Sequence, residues 1–92
     1  MKTTCIIGNY KQGSFVVEAV TNALNQTIKF DEIIVVDDWS PDDSPQIIKE
    51  HFADDDRVTL IFKEQNEGQI AAFNTAFLAS SGDIIFFSRR RW

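Results

Sequence analysis

Residues 32–38 have the sequence EIIVVDD, and this stretch decides the fold class. After Glu32, the run Ile33–Val36 is continuously apolar and β-branched, without the alternation of a half-exposed strand. Such a run is typical of a strand that is buried on both faces of a parallel sheet. We therefore predict a strand over Glu32–Val36, ended by two adjacent carboxylates, Asp37 and Asp38.

Outward from this strand, three other short apolar runs predict strands: Thr3–Ile7, Arg57–Phe62 and Asp83–Phe87. Between the four strands lie three segments with apolar residues at helical spacing. Strict alternation of strand and helix indicates parallel pairing with crossover connections. The expected fold is an α/β, Rossmann-like half-domain of about four parallel strands with three crossover helices. Ligands bind such folds at the carboxyl ends of the strands.

Capping residues set the expected helix limits. The first helix is predicted to start with Ser14 as its cap and to run to about Gln26. Ser44 is the expected cap of the second helix, with Pro45 at its first helical position. The third helix is predicted to open at Gly68, and Gly82 is placed to end it.

Length and composition exclude several classes of protein. The 92 residues allow one small domain, and the apolar runs are far shorter than the about 20 residues of a transmembrane helix. No signal-peptide pattern follows Met1, and a single cysteine, Cys5, excludes an internal disulfide. We therefore expect a cytoplasmic protein.

The charge distribution argues against nucleic acid as a partner. The formal net charge is -5, and ten of the 14 acidic residues lie between Asp31 and Asp56. Phosphate backbones need a basic face, which the body of this domain lacks. Carboxylates suit a site for a metal or for sugar hydroxyls, but for most of these residues we favour a solvated acidic surface.

The segment after the first strand, Gly8–Ser14, has the sequence GNYKQGS. Its two glycines are spaced as in a phosphate-binding P-loop, but the lysine of that motif is missing. A flexible turn explains the glycines. Tyr10 is the informative residue, since its ring can stack on a flat base or can simply cover the core, and both interpretations stay open.

The segment after the second strand carries most of the candidate chemistry. An acid at this position commonly binds a hydroxyl or a ring N–H of a nucleoside, and we favour that role for Asp38. The alternative is a carboxylate that caps the turn into the next helix, which suits Asp42 and Asp43 better than Asp37 and Asp38.

Three motifs carry a family resemblance. Residues 33–44, IIVVDDWSPDDS, resemble the IIVVDDGSTDDT segment of inverting family-2 glycosyltransferases of the GT-A fold. Residues 5–27 are similar to the family's first strand, its I-I-P-x-Y-N turn and the following helix. Residues 66–87 resemble its N-x-G-x-x-x-A-x-N motif and the strand after it. The resemblance covers residues 3–87 and points to the nucleotide-sugar-binding N-terminal half of such an enzyme.

The resemblance implies roles for individual residues. Tyr10 matches the aromatic that packs on the uracil ring of a nucleotide-sugar. Asp38 matches the acid that bonds the base ring N–H, with Asp37 beside it at the nucleoside. Gly8 stands at a position where only its backbone can contribute. Phe73 occupies a position where many members have a cation near the phosphates.

The end of the chain departs from the family. The resemblance implies a divalent metal, Mn²⁺ or Mg²⁺, held by a D-x-D motif after the fourth strand. Here Ser88 is followed by Arg89–Trp92, and arginine cannot supply the oxygen ligands that these metals prefer. We predict a domain over residues 1–88, a basic tail over 89–92 outside the family pattern, and missing metal ligands. We assign no catalytic residue, because the acceptor half and its base are also missing.

Two functions from different classes are compatible with these observations. One is a glycosyltransferase-type domain that binds a nucleotide-sugar, expected to be a UDP-sugar, for transfer to an acceptor hydroxyl, in a chain that looks truncated and is expected to be inactive alone. The other is a non-catalytic nucleotide-binding or interaction module that associates with another chain. Self-association is also expected, because a half-domain leaves sheet and helix surface uncovered.

Overall fold

The computed structural model describes residues 1–27 and 29–88, in which four strands and three helices alternate. The elements are β1 (Thr3–Asn9), α1 (Gly13–Leu24), β2 (Glu32–Asp37), α2 (Ser44–Phe52), β3 (Val58–Phe62), α3 (Gln69–Ala79) and β4 (Ile84–Ser88). The predicted order of elements is confirmed. The predicted tail, residues 89–92, lies outside the described residues.

All four strands are parallel and lie in the spatial order β3-β2-β1-β4. β1 is therefore central, with Cys5 opposite Ile33 on one side and Phe86 on the other. α1 and α2 pack on one face of the sheet, and α3 packs on the other. This is the Rossmann-like α/β arrangement that the sequence predicts.

β2 is the strand that divides the core. Ile33 and Val35 face α1 and α2, where they pack in one apolar cluster, while Ile34 and Val36 face α3 in a second cluster. Each of the four side chains is at most 3% exposed. The continuous apolar run is thus explained, since alternate side chains are needed on two buried faces.

Both predicted serine caps are wrong. α1 begins at Gly13 with Gln12 as its N-cap, so Ser14 lies inside the helix, which ends at Leu24 and not Gln26. α2 begins at Ser44 itself, after Asp43 as the N-cap. The Ser44 hydroxyl accepts a hydrogen bond from the Gly13 N–H at 3.0 Å. The Ser44 hydroxyl was expected to cap α2, but it instead forms a hydrogen bond between α1 and α2.

Gly82 also has a different role from the predicted one. α3 ends at Ala79 with Ser80 as its C-cap, before Gly82 is reached. A Cβ atom on Gly82 would lie 2.2 Å from the Thr4 hydroxyl oxygen. The glycine is thus required because the chain passes close to β1 on its way into β4.

β4 forms one edge of the sheet and carries exposed aromatic side chains. Phe86 and Phe87 are 48% and 53% exposed. Phe86 packs edge-on against Phe30, and Phe87 against Phe73, with ring centroids 5.4 and 5.2 Å apart. Within residues 1–27 and 29–88, no helix has the length and apolar character needed to cross a membrane.

Candidate functional site

Three loops meet at the carboxyl edge of the sheet, where a doubly wound fold binds its ligand. They are the β1–α1 loop (residues 10–12), the β2–α2 loop (residues 38–43) and the β3–α3 loop (residues 63–68). All four residues that the sequence singles out for ligand binding lie in or next to the first two loops. The loops are held together by buried polar side chains.

Asp37 fastens the β2–α2 loop to the end of β1. Its side chain belongs to a residue that is only 1% exposed, and its Oδ1 accepts hydrogen bonds from the Asn9 amide and the Ser40 hydroxyl, both at 2.7 Å. Its Oδ2 accepts the Ser40 N–H at 3.0 Å. A buried carboxylate is tolerated because these three donors replace the water it has lost.

Ser40 and Asn9 extend this network into the β1–α1 loop. The Ser40 hydroxyl oxygen accepts the Lys11 N–H at 3.0 Å, and Asn9 Oδ1 accepts the Gln12 N–H at 3.0 Å. Lys11 has a φ of 60°, in the left-handed region that costs a side chain bearing a Cβ. The hydrogen bond from its N–H helps to hold this conformation and thereby fixes the loop that carries Tyr10.

Asp38 fastens the β2–α2 loop to the β3–α3 loop. It is 0% exposed, and its two carboxylate oxygens accept the N–H groups of Glu67 at 3.1 Å and Gly68 at 2.8 Å. In return, the Asn66 amide donates to the Asp38 carbonyl oxygen at 3.2 Å. The neighbouring aspartates thus bind in opposite directions, Asp37 toward β1 and Asp38 toward the start of α3.

The side chain of Lys63 lies next to the Asp38 carboxylate and its hydrogen bonds. Its side chain is 8% exposed, and its Nζ lies 3.9 Å from Asp38 Oδ1 and 2.6 Å from Glu67 Oε1. The ammonium group offsets the charge of the buried Asp38 carboxylate. It also joins the end of β3 to the loop residue that donates to Asp38.

Two aromatic side chains lie at the mouth of the edge. Tyr10 is half-buried, and the Lys11 Nζ lies 5.3 Å from its ring centroid. Trp39 is 59% exposed and has a φ of 56°. Tyr10 directly follows Asn9 and Trp39 directly follows Asp38, so both aromatic residues belong to loops that the aspartate hydrogen bonds hold, and both are exposed in part.

The predicted ligand-binding residues differ in accessibility. Tyr10 is partly accessible, whereas Gly8 is buried in β1 opposite Val36. Asp37 and Asp38 are buried, with hydrogen bonds already made to both carboxylates. Their direct contact with a nucleoside stays a prediction. Asp42, which the sequence favours as a turn cap, accepts the Ser44 N–H at 3.0 Å through its carboxylate.

Sequence reasoning missed Asn9, Ser40 and Lys63 as parts of this edge. Asn9 is the partner of Asp37 in the β1–β2 register, but that pairing joins residues 28 positions apart in the chain. Ser40 follows Asp37 by three residues, a spacing at which a carboxylate can receive a loop N–H. This spacing, which recurs between Asn9 and Gln12, was the local signal for the network.

The described residues do not form a metal centre. Among residues 1–27 and 29–88, no group of three or more His, Cys, Asp or Glu side chains could hold a metal ion. Asp37 and Asp38 face different partners, so they do not present a joint ligand set. We therefore assign no metal site to the described part of the edge, and residues 89–92 lie outside it.

The fold and this edge define a Rossmann-like α/β domain with a candidate ligand site at the carboxyl ends of β1 and β2. The sequence profile of the family described as Glycosyl transferase family 2 matches residues 4–88. The chain belongs to this family.

Curated relatives are longer glycosyltransferases. An uncharacterized glycosyltransferase of Nostoc sp. is 36% identical over 88 residues, which is 95% of this chain and 27% of that protein. The chondroitin synthase of Escherichia coli is 42% identical over 67 residues, 73% of this chain and 10% of that protein. The chain thus spans about a quarter or less of the length of these relatives.

Solved structures confirm the GT-A-type fold. The mannosyltransferase PcManGT of Pyrobaculum calidifontis, in complex with GDP-Man and Mn²⁺, matches with a TM-score of 0.85 and 25% identity over 96% of this chain and 27% of that chain. The glucosyl-3-phosphoglycerate synthase of Mycobacterium tuberculosis matches with a TM-score of 0.71 at 19% identity, covering 96% of this chain and 33% of that chain.

Proposed function

We propose that the carboxyl edge of this sheet binds the nucleotide part of a nucleotide-sugar, with UDP as the nucleotide, for transfer of the sugar to an acceptor hydroxyl with inversion. One observation carries the proposal: buried Asp37 and Asp38 hold the loops of the carboxyl edge together, and the half-buried Tyr10 lies in one of these loops. Membership of glycosyltransferase family 2 supports the same function.

The described residues would act by binding and orientation. Tyr10 would pack on the base, and the backbone of Gly8 would lie beside the nucleoside. Asp37 holds Asn9 and Ser40, and Ser40 in turn holds the backbone of Lys11. Because these bonds exist before any ligand arrives, the loop that carries Tyr10 loses little freedom when a nucleotide binds.

We assign no catalytic group among the described residues. Transfer needs a base that takes the proton of the acceptor hydroxyl and a stabiliser for the leaving diphosphate. The two buried aspartates of the described edge accept hydrogen bonds from the protein itself. We therefore propose that the described residues contribute donor binding to the reaction.

Calorimetric titration with UDP, GDP and TDP, with and without Mn²⁺, tests the proposal. We expect UDP to bind best, with little dependence on metal. The GDP arm matters because PcManGT, the similar mannosyltransferase, holds GDP-Man. A preference for GDP would support the nucleotide site but with guanine as the base in place of uracil. The absence of binding by all three nucleotides would contradict the proposal.

The variant Tyr10→Ala tests where the base lies. Stacking of a base on an aromatic ring is worth about 1–3 kcal/mol, so UDP affinity should fall by about five- to 150-fold. Phe77→Ala is the matched control, because Phe77 is a half-exposed aromatic on α3 away from the edge. Equal losses in the two variants would remove Tyr10 from the site.

A second function is a non-catalytic module that binds another chain. The exposed apolar side chains of β4 and α3, among them Phe87 and Leu78, favour it. Under this alternative a partner would bind β4 and α3 while the carboxyl edge stayed without nucleotide. Two results together would support it: a pull-down that depends on Phe87 and Leu78, and calorimetric titrations that detect no nucleotide binding. For either function, the cytoplasm is the compartment that we propose.

A further inference from the structure

We propose that Trp39 is a second aromatic contact for the nucleobase, beside Tyr10, and that its ring adds to the affinity of the site for a planar base. The inference rests on the proposed nucleotide site and adds a residue to it. It follows from the exposure of Trp39, from the strain in its backbone and from the hydrogen bonds on either side of it.

Trp39 lies at the surface between two buried residues. Asp38 and Ser40 are 0% and 7% exposed, whereas Trp39 is 59% exposed. Tryptophan is highly buried on average in folded proteins, because its side chain is large and mostly apolar. Here the fold buries both neighbours of the tryptophan and leaves much of the tryptophan itself in contact with solvent.

The backbone of Trp39 has a conformation that a side chain disfavours. Its φ is 56°, in the left-handed region where the Cβ atom is crowded by the following carbonyl oxygen. Glycine or asparagine would adopt this conformation at lower cost. Strain of this kind clusters at ligand-binding sites, where the rest of the structure sustains it. Neither the backbone nor the burial of the ring accounts for a tryptophan here, whereas a contact with a ligand does.

Hydrogen bonds on both sides place Trp39 next to Tyr10. The residues that flank Trp39 bind the residues that flank Tyr10, and the two pairs are Asp38 with Asn9 and Ser40 with Lys11. In the first pair, the Asp38 N–H donates to the Asn9 carbonyl oxygen at 3.0 Å. In the second pair, the Ser40 hydroxyl oxygen accepts the Lys11 N–H at 3.0 Å. The main chains at Tyr10 and Trp39 are therefore neighbours at the carboxyl edge.

The main chain on both sides of Trp39 is also fixed from within its own edge. The Ser40 N–H donates to the Asp37 carboxylate at 3.0 Å, and the Asn66 amide donates to the Asp38 carbonyl oxygen at 3.2 Å. These bonds exist without a ligand, so the loop loses little freedom when one binds. A tryptophan side chain has only two torsions to fix, which keeps its own loss small.

A pair of aromatic residues at this edge suits the flat face of a base. Bases stack on aromatic side chains, and the indole of tryptophan offers a larger face than the phenol of tyrosine. The base would contact Tyr10 from the β1–α1 loop and Trp39 from the β2–α2 loop. Because hydrogen bonds join the two loops, the spacing of these contacts would be set before the nucleotide arrives.

Two variants at Trp39 separate a binding role from a structural one. Trp39→Asn removes the ring, and asparagine tolerates left-handed backbone, so urea unfolding should give a stability no lower than that of Trp39→Phe. Calorimetric titration with UDP, or with GDP if the wild type prefers it, should show an affinity lower by about five- to 150-fold in Trp39→Asn. Trp39→Phe keeps a ring and should recover part of that loss. Affinities that follow stability, or that do not change, would overturn the inference.

Dihydro-UDP provides a matched ligand. Its uracil ring is saturated, so it keeps the ring N–H and both carbonyl groups but is no longer planar and stacks poorly. The wild type should bind UDP more tightly than dihydro-UDP, and Trp39→Asn should shrink the ratio of the two affinities by about fivefold or more. An equal ratio in the wild type and the variant would mean that the Trp39 ring does not contact the base.

Fluorescence gives a readout from the ring itself. Trp39 and Trp92 are the two tryptophans of the chain, so Trp92→Phe leaves Trp39 as the source of the indole emission. UDP should change this emission with the dissociation constant found by calorimetry, and unchanged emission at saturating UDP would overturn the inference. Phe77→Ala is the matched control, since Phe77 is a half-exposed aromatic on α3, and it should alter neither the UDP affinity nor the ratio to dihydro-UDP.

The outcomes for the site and for the inference are separable. If the wild-type chain binds no nucleotide, the proposed function fails and the role of Trp39 fails with it. If UDP binds equally well to the wild type and to Trp39→Asn, Trp39 is removed from the site while the proposed function stands.

Discussion

At the scale of single residues, the edge combines two aspartates that are adjacent in the chain and opposite in use. Asp37 binds Asn9 and Ser40, whereas Asp38 binds the backbone of Glu67 and Gly68. The alternation of side chains along an extended chain explains this division, since neighbouring residues point to opposite sides. A conservative change at either position should therefore loosen a different loop.

Trp39 provides a prediction about backbone strain. Its φ of 56° is costly for a residue with a Cβ. Trp39 is also 59% exposed, so burial of its ring contributes little to the stability of the fold. We expect Trp39→Gly to be more stable than Trp39→Ala by about 1 kcal/mol, because both remove the ring and one alone relieves the backbone. Urea unfolding of the two variants measures the difference. Equal midpoints would mean that the loop relaxes around the alanine.

At the scale of elements, the sequence predicts what local pattern determines. The apolar run Ile33–Val36 predicts β2 and its two buried faces, and the alternation of patterns predicts all seven elements of the described chain. The role of Ser44 was missed because its hydroxyl binds the Gly13 N–H, a contact across 31 residues. No local propensity records such a contact.

In the candidate site, too, the sequence predicts what depends on local pattern and misses what depends on contacts between distant residues. Asp37 and Asp38 follow the predicted strand Glu32–Val36, so the sequence alone places both at the carboxyl edge, while their contact with a nucleotide stays a prediction. Lys63 and Asn9 were missed as parts of the edge because their roles depend on neighbouring strands of the sheet. The burial of both carboxylates was also missed, since it depends on donors that come from other loops.

Gly82 provides a prediction about how β4 is seated. In Gly82→Ala, the new Cβ would meet the Thr4 hydroxyl oxygen at 2.2 Å and the Thr4 backbone nitrogen at 3.0 Å. We expect a loss of about 1–3 kcal/mol in the free energy of unfolding, because the start of β4 must move off β1. Thermal unfolding measures the loss.

A second substitution identifies the clash in that variant. Thr4→Ala removes the hydroxyl but leaves the backbone nitrogen, so Gly82→Ala/Thr4→Ala should cost less than the sum of the single changes. Additive losses would mean that Thr4 is not what the new methyl group meets.

At the scale of the whole molecule, acidic side chains fasten the amino ends of the strands. The Asp31 carboxylate accepts the Thr3 N–H at 2.7 Å, and Glu32 accepts the Thr4 hydroxyl at 2.8 Å and the Ser81 N–H at 3.0 Å. The hydrogen bond from the Thr3 backbone lowers the pKa of Asp31. Burial by itself would raise the pKa of Glu32, but the bonds from Ser81 and Thr4 lower it overall.

These pKa shifts predict a loss of stability in acid. Folded-state values below the ordinary 3.8 of Asp31 and 4.5 of Glu32 mean that the unfolded chain takes up protons first. The stabilisation is therefore complete above the ordinary values and is lost as pH falls through the folded ones. Urea unfolding between pH 7 and pH 3 should show this decline, with a shallower slope in Glu32→Gln. Stability that is level down to pH 3 would contradict it.

Self-association is the prediction for the isolated chain. β4 is an edge strand with half-exposed Phe86 and Phe87, and such edges pair with further strands. We expect a second copy to bind there, so that sedimentation gives a mass above 10.5 kDa that falls on dilution. Phe87→Lys should favour the monomer, and Thr59→Lys, on the opposite edge strand, should not. A monomeric wild type at high concentration would contradict the prediction.

The central place of β1 has a consequence for synthesis on the ribosome. Of the four strands described here, β1 is made first, yet Thr3 pairs with Ile84, so one flank of β1 stays unpaired until β4 has been made. Before α3 is made, β1, β2 and β3 can assemble with α1 and α2 on one face, while Ile6 and Ile34 have no helix on the other. Pairings of such long sequence separation are slow to form. The nascent chain thus passes through a half-covered sheet, which is the stage at which a chaperone would have most to protect.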